Sequence, residues 1–176
     1  AAVATAADAV LMPERPHTRE QVIDSVVDCI ERSFDAARDK TRVLIIKAEG
    51  VDVPTHEIVE EATKIGIPPE DVIIDPLAMA ISTDHTAALE TLKAFRLIRD
   101  ELGVNQTMGA SNISFGLPER HPINGIFLAM AAIHGVTCPI LDPTVWEIRR
   151  SVLITDLLLA KDNYCMNFIS AYRQKF

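Results

Sequence analysis

Residues 105–124 read NQTMGASNISFGLPERHPIN, and the fold turns on how this stretch is read. Asn105 to Met108 suits a short strand, and Gly109-Ala110-Ser111-Asn112 a turn of small residues. A polar loop broken by Gly116 and Pro118 then leads into an apolar helix. Proteins of α/β type place ligand chemistry at the carboxyl ends of their strands. Gly109 allows the backbone to approach a flat ligand, and Ser111 and Asn112 offer donors and acceptors side by side. The same residues also suit a plain connecting loop in which Asn112 stabilises a turn. Local chemistry alone leaves both readings open.

Working outward, the pattern repeats. Upstream, Ala9 to Met12 reads as a short strand stopped by Pro13. Thr18 with Gln21 three residues on has the capping-box pattern of a helix start. Val22, Val26, Ile30, Phe34 and Ala37 then recur at helical spacing. Arg38 to Arg42 is a charged helix end, and Val43 to Ile46 the next strand. Thr55 starts a helix carrying Ile58, Val59 and Ala62, which Gly66 ends. Val72 to Ile74 form a third strand running into Asp75-Pro76. Ser82, Thr83 or Asp84 caps a helix whose apolar face is Leu89, Leu92, Phe95, Ile98 and Leu102, with Gly103 at its end.

Downstream, the helix Ile123 to His134 is apolar nearly all round, which predicts cover on more than one side. Cys138 to Leu141 reads as a fifth strand, ending at Asp142-Pro143. Thr144 caps a further helix, and the last runs from about Asn163 to Gln174. Strand and helix thus alternate about five times at roughly 30-residue spacing, the signature of a parallel sheet wrapped by helices. The choices are a partial (β/α) barrel or an open doubly wound sheet. A full eight-stranded barrel takes about 250 residues, more than the 176 present.

Composition narrows the function classes. Hydrophobic residues make up 48% and aromatics only 5%, so a single α/β domain would bury an aliphatic core. The formal net charge of -8 argues against a nucleic-acid groove or an anionic membrane surface. Cys29, Cys138 and Cys165 are far apart and form no Cys-x-x-Cys pair, which fits a reduced cytoplasmic setting and gives no metal framework. The opening AAVATAADAVLM lacks a basic leader segment and reads as a helix end running into a strand. No apolar run reaches membrane-spanning length.

Three polar signals fall just past strand ends: Asp75, the Gly109–Asn112 turn, and Asp142. In a parallel sheet they share one rim, where a carboxylate and a carboxamide can read the donor edge of a flat heterocycle. Each Asp could instead cap a helix. Asp142 fits that structural role better, whereas Asp75 stands several residues before the next helix and fits ligand contact. The five histidines form no His-x-x-x-His pair, and His121, before Pro122, suits a turn. There is no phosphate loop of the G-x-x-x-x-G-K-[ST] type and no G-x-S-x-G elbow.

Asp75-Pro76-Leu77 and Gly109-Ala110-Ser111-Asn112-Ile113-Ser114-Phe115-Gly116-Leu117-Pro118-Glu119-Arg120 resemble the pterin-binding methyltetrahydrofolate:corrinoid methyltransferases. The likeness continues through Ile123-Asn124, Phe127-Leu128-Ala129-Met130-Ala131, Ile140-Leu141-Asp142-Pro143 and the tail to Tyr164-Cys165, covering about residues 66–174. It implies a pterin pocket at the carboxyl rim of a (β/α) barrel, with methyltetrahydrofolate as substrate and a cobalamin or other corrinoid on a partner protein. Asp75 would hydrogen-bond the pterin ring, Asn112 would act catalytically near N5, Gly109 and Ser111 would flank it, and Arg120 would stand at the pocket mouth.

Residues 1–65 form an atypical first part in this reading. Ala7-Asp8-Ala9-Val10-Leu11-Met12-Pro13-Glu14-Arg15-Pro16, with Ala48-Glu49-Gly50, is weakly similar to a phosphofructokinase segment, in which Glu14 would be a sugar-phosphate contact. That family's nucleotide-binding glycine loop is missing. The expectation is therefore a pterin-binding methyltransferase holding about half a barrel, as a homo-oligomer or with a second chain completing it. The rival expectation is a catalytically silent binding or assembly subunit.

Overall fold

The computed structural model describes residues 7–13, 18–34, 42–48 and 50–173. It divides into two compact units, Ala1–Val72 and Ile73–Phe176.

In the first unit, β1 (Ala9–Leu11) pairs in parallel with β2 (Ile45–Lys47) in the register Ala9↔Ile45 to Leu11↔Lys47. Helix α1 (Arg19–Phe34) starts at a reciprocal capping box. The Thr18 N–H donates to Gln21 Oε1 at 3.0 Å, and the Gln21 N–H donates to Thr18 Oγ1 at 3.3 Å. Helix α2 (Thr55–Lys64) closes on Gly66, where the Ile67 N–H reaches back to Ala62 O and the Gly66 N–H to Thr63 O, both at 3.0 Å. Leu11, Val22, Val26, Ile30, Val53 and Ala62 make the core of this unit.

Two expectations shift here. Phe34 is half exposed, because the inward position of the last turn of α1 falls on the buried Ser33. The second strand is displaced from 43–46 to Ile45–Lys47, since Leu44 is held by Asp8: its N–H donates to the Asp8 carboxylate and its carbonyl accepts the Asp8 N–H at 2.8 Å. Ala37, the charged run 38–41, Glu14 and Glu49 lie outside the described residues.

In the second unit, β3 (Ile73–Ile74) pairs in parallel with β4 (Asn105–Gln106). The expected fifth strand is present as one parallel bridge, Gly109↔Ile140. Among the described residues the pairings amount to two two-stranded sheets and this bridge, so one continuous five-stranded sheet is not formed. The segments are too short for it: each pairs over two or three residues before a Pro, a Gly or a turn leaves the ladder.

Helices α3 (Ala87–Leu97), α4 (Arg120–His134), α5 (Trp146–Leu158) and α6 (Met166–Arg173) belong to this unit. Phe95, Met108, Ile113, Phe127, Leu128, Ala131 and Ile148 form its core, with Phe95 and Met108 fully buried. Helix α4 packs on α3 and α5, yet Ile126, Met130 and Ile133 are exposed. Among the described residues its cover is therefore two-sided, and a third face is exposed. Leu89, expected in the core, is also exposed, because the inward face of α3 runs through Ala87, Thr91, Leu92 and Phe95 instead.

The expected caps are turns. Asp84 Oδ1 accepts the Thr86 N–H at 2.8 Å before α3 begins, so none of Ser82, Thr83 and Asp84 is its N-cap. Val145, not Thr144, stands at the N-cap of α5. Substituting Phe95→Ala removes the most enclosed aromatic of the second unit, and the expected loss is about 3–5 kcal/mol. A urea-denaturation midpoint unchanged from wild type would contradict this core assignment.

Candidate functional site

All three polar signals of the rim leave the second unit's strands in the same direction, because the pairings are parallel. Asp75 follows Ile74, and Asp142 follows the bridge at Ile140. Both aspartates are exposed and both make the same local turn. Pro has no N–H to offer, so the carboxylate accepts from the residue after it: Asp75 Oδ1 from the Leu77 N–H at 2.9 Å, and Asp142 Oδ1 from the Thr144 N–H at 2.8 Å. Asp142 also accepts the Thr144 hydroxyl at 2.7 Å. That hydroxyl, then the Thr144 N–H, hold the Asp142 carboxyl below the usual carboxylate range, and His121 adds to the effect. The structural role expected for Asp142 thus takes the form of a turn rather than a helix cap.

The central loop is braced from within. Gly109 carries no side chain because the Asn112 carboxamide lies over it: a Cβ there would sit 2.9 Å from Asn112 Nδ2. Asn112 itself is exposed and opens a short 3-10 turn, Asn112–Ser114. Arg120 ties the two ends of the loop together. Its Nη2 donates to Ser111 O at 2.7 Å, its Nε donates to the buried Ser114 Oγ at 3.1 Å, and its guanidinium lies 5.8 Å from the Phe115 ring centre. The loop after Asp75 is joined to this one, the Ile81 N–H donating to Ile113 O at 3.0 Å and Ser82 Oγ to Phe115 O at 2.6 Å. The segments that follow Asp75 and Asn112 therefore form one hydrogen-bonded assembly.

Beside the loop lies a cleft of about 190 Å³, lined on its polar side by Ser111, Arg120, His121, Asn124 and Asp142. Of the residues singled out from sequence, Ser111 and Arg120 line it. Asp75, Gly109 and Asn112 stand at the strand ends outside it. Sequence reading missed Asn124, which the helix pattern absorbs. Its signal is a lone carboxamide at the head of the apolar run Ile123–Ile133. Among the described residues no cluster of His, Cys, Asp or Glu could hold a metal ion, and no helix is long and apolar enough to cross a membrane.

The family of pterin binding enzymes matches residues 2–142. The chain belongs to this family. The match includes the first part of the chain, which sequence reading had set apart and likened to phosphofructokinases; the pterin-binding family accounts for that segment as well. A relative from Eubacterium limosum, a methylcorrinoid:tetrahydrofolate methyltransferase, is 30% identical over 158 residues. The alignment takes in 84% of this chain but 58% of the relative, so the chain spans somewhat more than half of that protein's length.

For a pterin binding enzyme the contact at Gly109 is directly testable. Gly109→Ala should push the Asn112 carboxamide off the turn, displacing its side-chain amide resonances in an NMR spectrum while the global fold persists. Unmoved Asn112 resonances would refute the contact. Thr144→Val should raise the Asp142 pKa toward the ordinary carboxylate value, read by NMR pH titration. Because the folded-state pKa is depressed, the stabilisation from this turn is present above the unfolded-state pKa. It is lost as pH falls through the folded value. A titration curve identical to wild type would show that the hydroxyl has no influence.

Proposed function

We propose that the chain binds a tetrahydrofolate through its pterin ring and takes part in methyl transfer between N5 of that ring and a corrinoid carried by another protein. The observation that carries this reading is the pairing of an exposed carboxylate, Asp75, with an exposed carboxamide, Asn112, at the ends of parallel strands in a chain of the pterin-binding family. The 2-amino and N3 edge of a pterin is a pair of N–H donors, and a carboxylate such as Asp75 is its acceptor. Gly109 leaves room for the Asn112 carboxamide, Ser111 adds a hydroxyl, and Arg120 keeps the loop in shape.

Asn112 is assigned the chemical role. A neutral tetrahydropterin N5 is a poor leaving group, so transfer from N5 requires it to gain positive character. A carboxamide can present its oxygen to an N5–H⁺ without itself titrating. The corrinoid, when docked, supplies the cobalt centre that exchanges the methyl group. The name of the relative mentions a methylcorrinoid and tetrahydrofolate. Both directions pass through one transition state in which N5 carries developing positive charge, so stabilising that charge suits both a methylcorrinoid and methyltetrahydrofolate as donor.

Calorimetric titration with methyltetrahydrofolate tests the proposal. Asp75→Ala should weaken binding by about 1.5–3 kcal/mol, the scale of a charged hydrogen bond. Asn112→Ala should lower the methyl-transfer rate to a corrinoid protein by more than it lowers affinity. Failure of the folded protein to bind any folate at millimolar concentration would reject the reading in favour of a silent assembly subunit. The exposed apolar stripe Ile126, Met130 and Ile133 on α4 suits that alternative.

A further inference from the structure

Leu77 burdens the fold in two independent ways. Its backbone is left-handed, at φ 64°, a conformation that is unfavourable for a leucine. Its side chain is 61% exposed and takes no part in the core of its unit. A glycine would relieve both, and an asparagine tolerates the same backbone. The other left-handed non-glycine residues among those described lie away from the strand ends: Glu119 at the head of α4, and Ala160, Tyr164 and Cys165 between α5 and α6.

The local turn does not demand this conformation. Asp75-Pro76-Leu77 and Asp142-Pro143-Thr144 make the same turn, in which the carboxylate accepts the N–H two residues on. Thr144 makes it without a left-handed backbone, and its hydroxyl donates a second bond to Asp142 at 2.7 Å. The Leu77 side chain adds no such bond, and the N–H it contributes is one that any residue but proline supplies. Neither the turn nor the core accounts for a leucine here. Backbone strain of this kind concentrates where a site uses it.

Position supplies a use. The Leu77 N–H nitrogen lies 2.9 Å from Asp75 Oδ1, and an N–Cα bond is about 1.46 Å, so the Leu77 Cα stands within about 4.4 Å of the carboxylate. The segment is held on its other side as well. Ala78 is buried, the Ile81 N–H donates to Ile113 O, and Ser82 Oγ donates to Phe115 O. The rim residues assigned to the ring, Asp75, Ser111 and Asn112, are all polar and address its edge and N5. A bicyclic ring also has two broad faces, and ligand sites are lined mainly by apolar groups, with a few polar ones that fix orientation.

We infer that Leu77 is a ring-contact residue, whose strained backbone holds an apolar side chain against one face of the pterin that Asp75 grips by its edge. The inference rests on the folate reading above and deepens it. It names the apolar group that reading lacks, and it assigns the strain at Leu77 to binding rather than to folding.

Three substitutions in the full chain test this. Leu77→Asn suits the left-handed backbone and removes the apolar group, Leu77→Gly relaxes the backbone and removes the side chain, and Leu77→Met keeps both strain and apolar volume. Because the wild-type residue is the strained one, Leu77→Asn should melt about 2–4 °C above wild type, so a weaker affinity in it cannot come from lost fold. The probe is 6-methyltetrahydropterin, titrated calorimetrically. Leu77→Asn and Leu77→Gly should bind it about tenfold more weakly than wild type, the scale of one partly covered apolar side chain. Leu77→Met should recover affinity to within about threefold of wild type. Wild-type affinity in the Asn and Gly variants would overturn the contact, and so would a Met variant as weak as they are. Lower melting points in both the Asn and Gly variants would show that the leucine serves the fold, and would overturn it too. Normal ring binding with loss of methyl exchange to methylcobalamin would move the side chain to the corrinoid and remove it from the ring. A wild type that binds no pterin would overturn the folate reading and this contact with it; variants that match a binding wild type overturn the contact alone.

Discussion

The Ile140 N–H donates to Met108 O at 2.8 Å, and Ile140 O accepts the Ala110 N–H at 3.0 Å. This pair of bonds makes the parallel bridge between Gly109 and Ile140, and the site depends on it. It fixes residue 140 beside Gly109, sets the direction in which Asp142 and the Ser111 loop leave the sheet, and leaves the cleft between them. Thr137 and Cys138 reinforce the arrangement from below, both donating their N–H groups to Gln106 O at 3.1 Å. Parallel strands need a crossover between them, and α4 is that crossover. The apolar face of α4, Phe127, Leu128 and Ala131, is buried in the same core as Met108. Packing of α4 and pairing at Gly109 are thus one constraint seen from two sides.

Much of this organisation was legible in the sequence. The helix periods, the capping box at Thr18, the left-handed ends at Gly66 and Gly103, and the placement of polar groups at strand ends all rest on local rules that tertiary structure left intact. What was not legible depended on which turn of a helix meets the core. Phe34 and Leu89 carry the right period but lie on a side that no element covers among the described residues. The all-apolar α4 suggested burial on every side, yet Ile126, Met130 and Ile133 find no cover among the described residues. Hydrophobicity sets what a residue would gain by burial. It does not set whether a neighbour is there to bury it.

The site was legible in part for a similar reason. At positions 75 and 142 the sequence suggests a ligand contact and a helix cap, and the structure makes a turn at both, since the proline forces the carboxylate to its second neighbour for a donor. The Leu77 and Thr144 N–H groups are those donors. Local sequence cannot reveal that Gly109 is small because Asn112 folds back onto it, since that contact needs the 3-10 turn to be in place. Nor can it reveal Asn124. A carboxamide in the first turns of a helix is most simply read as solvated, and only the close approach of α5 at Gly125 shows that it is buried.

Arg120 requires a change of emphasis. From sequence it is a positive charge at a pocket mouth, ready for an anionic ligand. In the structure two of its donors are engaged with its own loop, at Ser111 O and Ser114 Oγ, and its guanidinium lies 5.8 Å from the Phe115 ring centre. Hydrogen bonds from a charged donor are worth about 1.5–3 kcal/mol each, so a ligand that captured the whole guanidinium would have to replace both. A ligand that uses only the outward N–H groups costs the loop nothing. The fork geometry of arginine makes this division possible, because its five donors point in fixed and different directions; a lysine, with one rotatable ammonium, could not brace Ser111 and Ser114 and still face the cleft. Arg120 is therefore first the residue that keeps Ser111 and Ser114 in register, and only second a source of charge. The loop it spans is braced without any ligand, which removes an ordering cost that binding would otherwise have to meet.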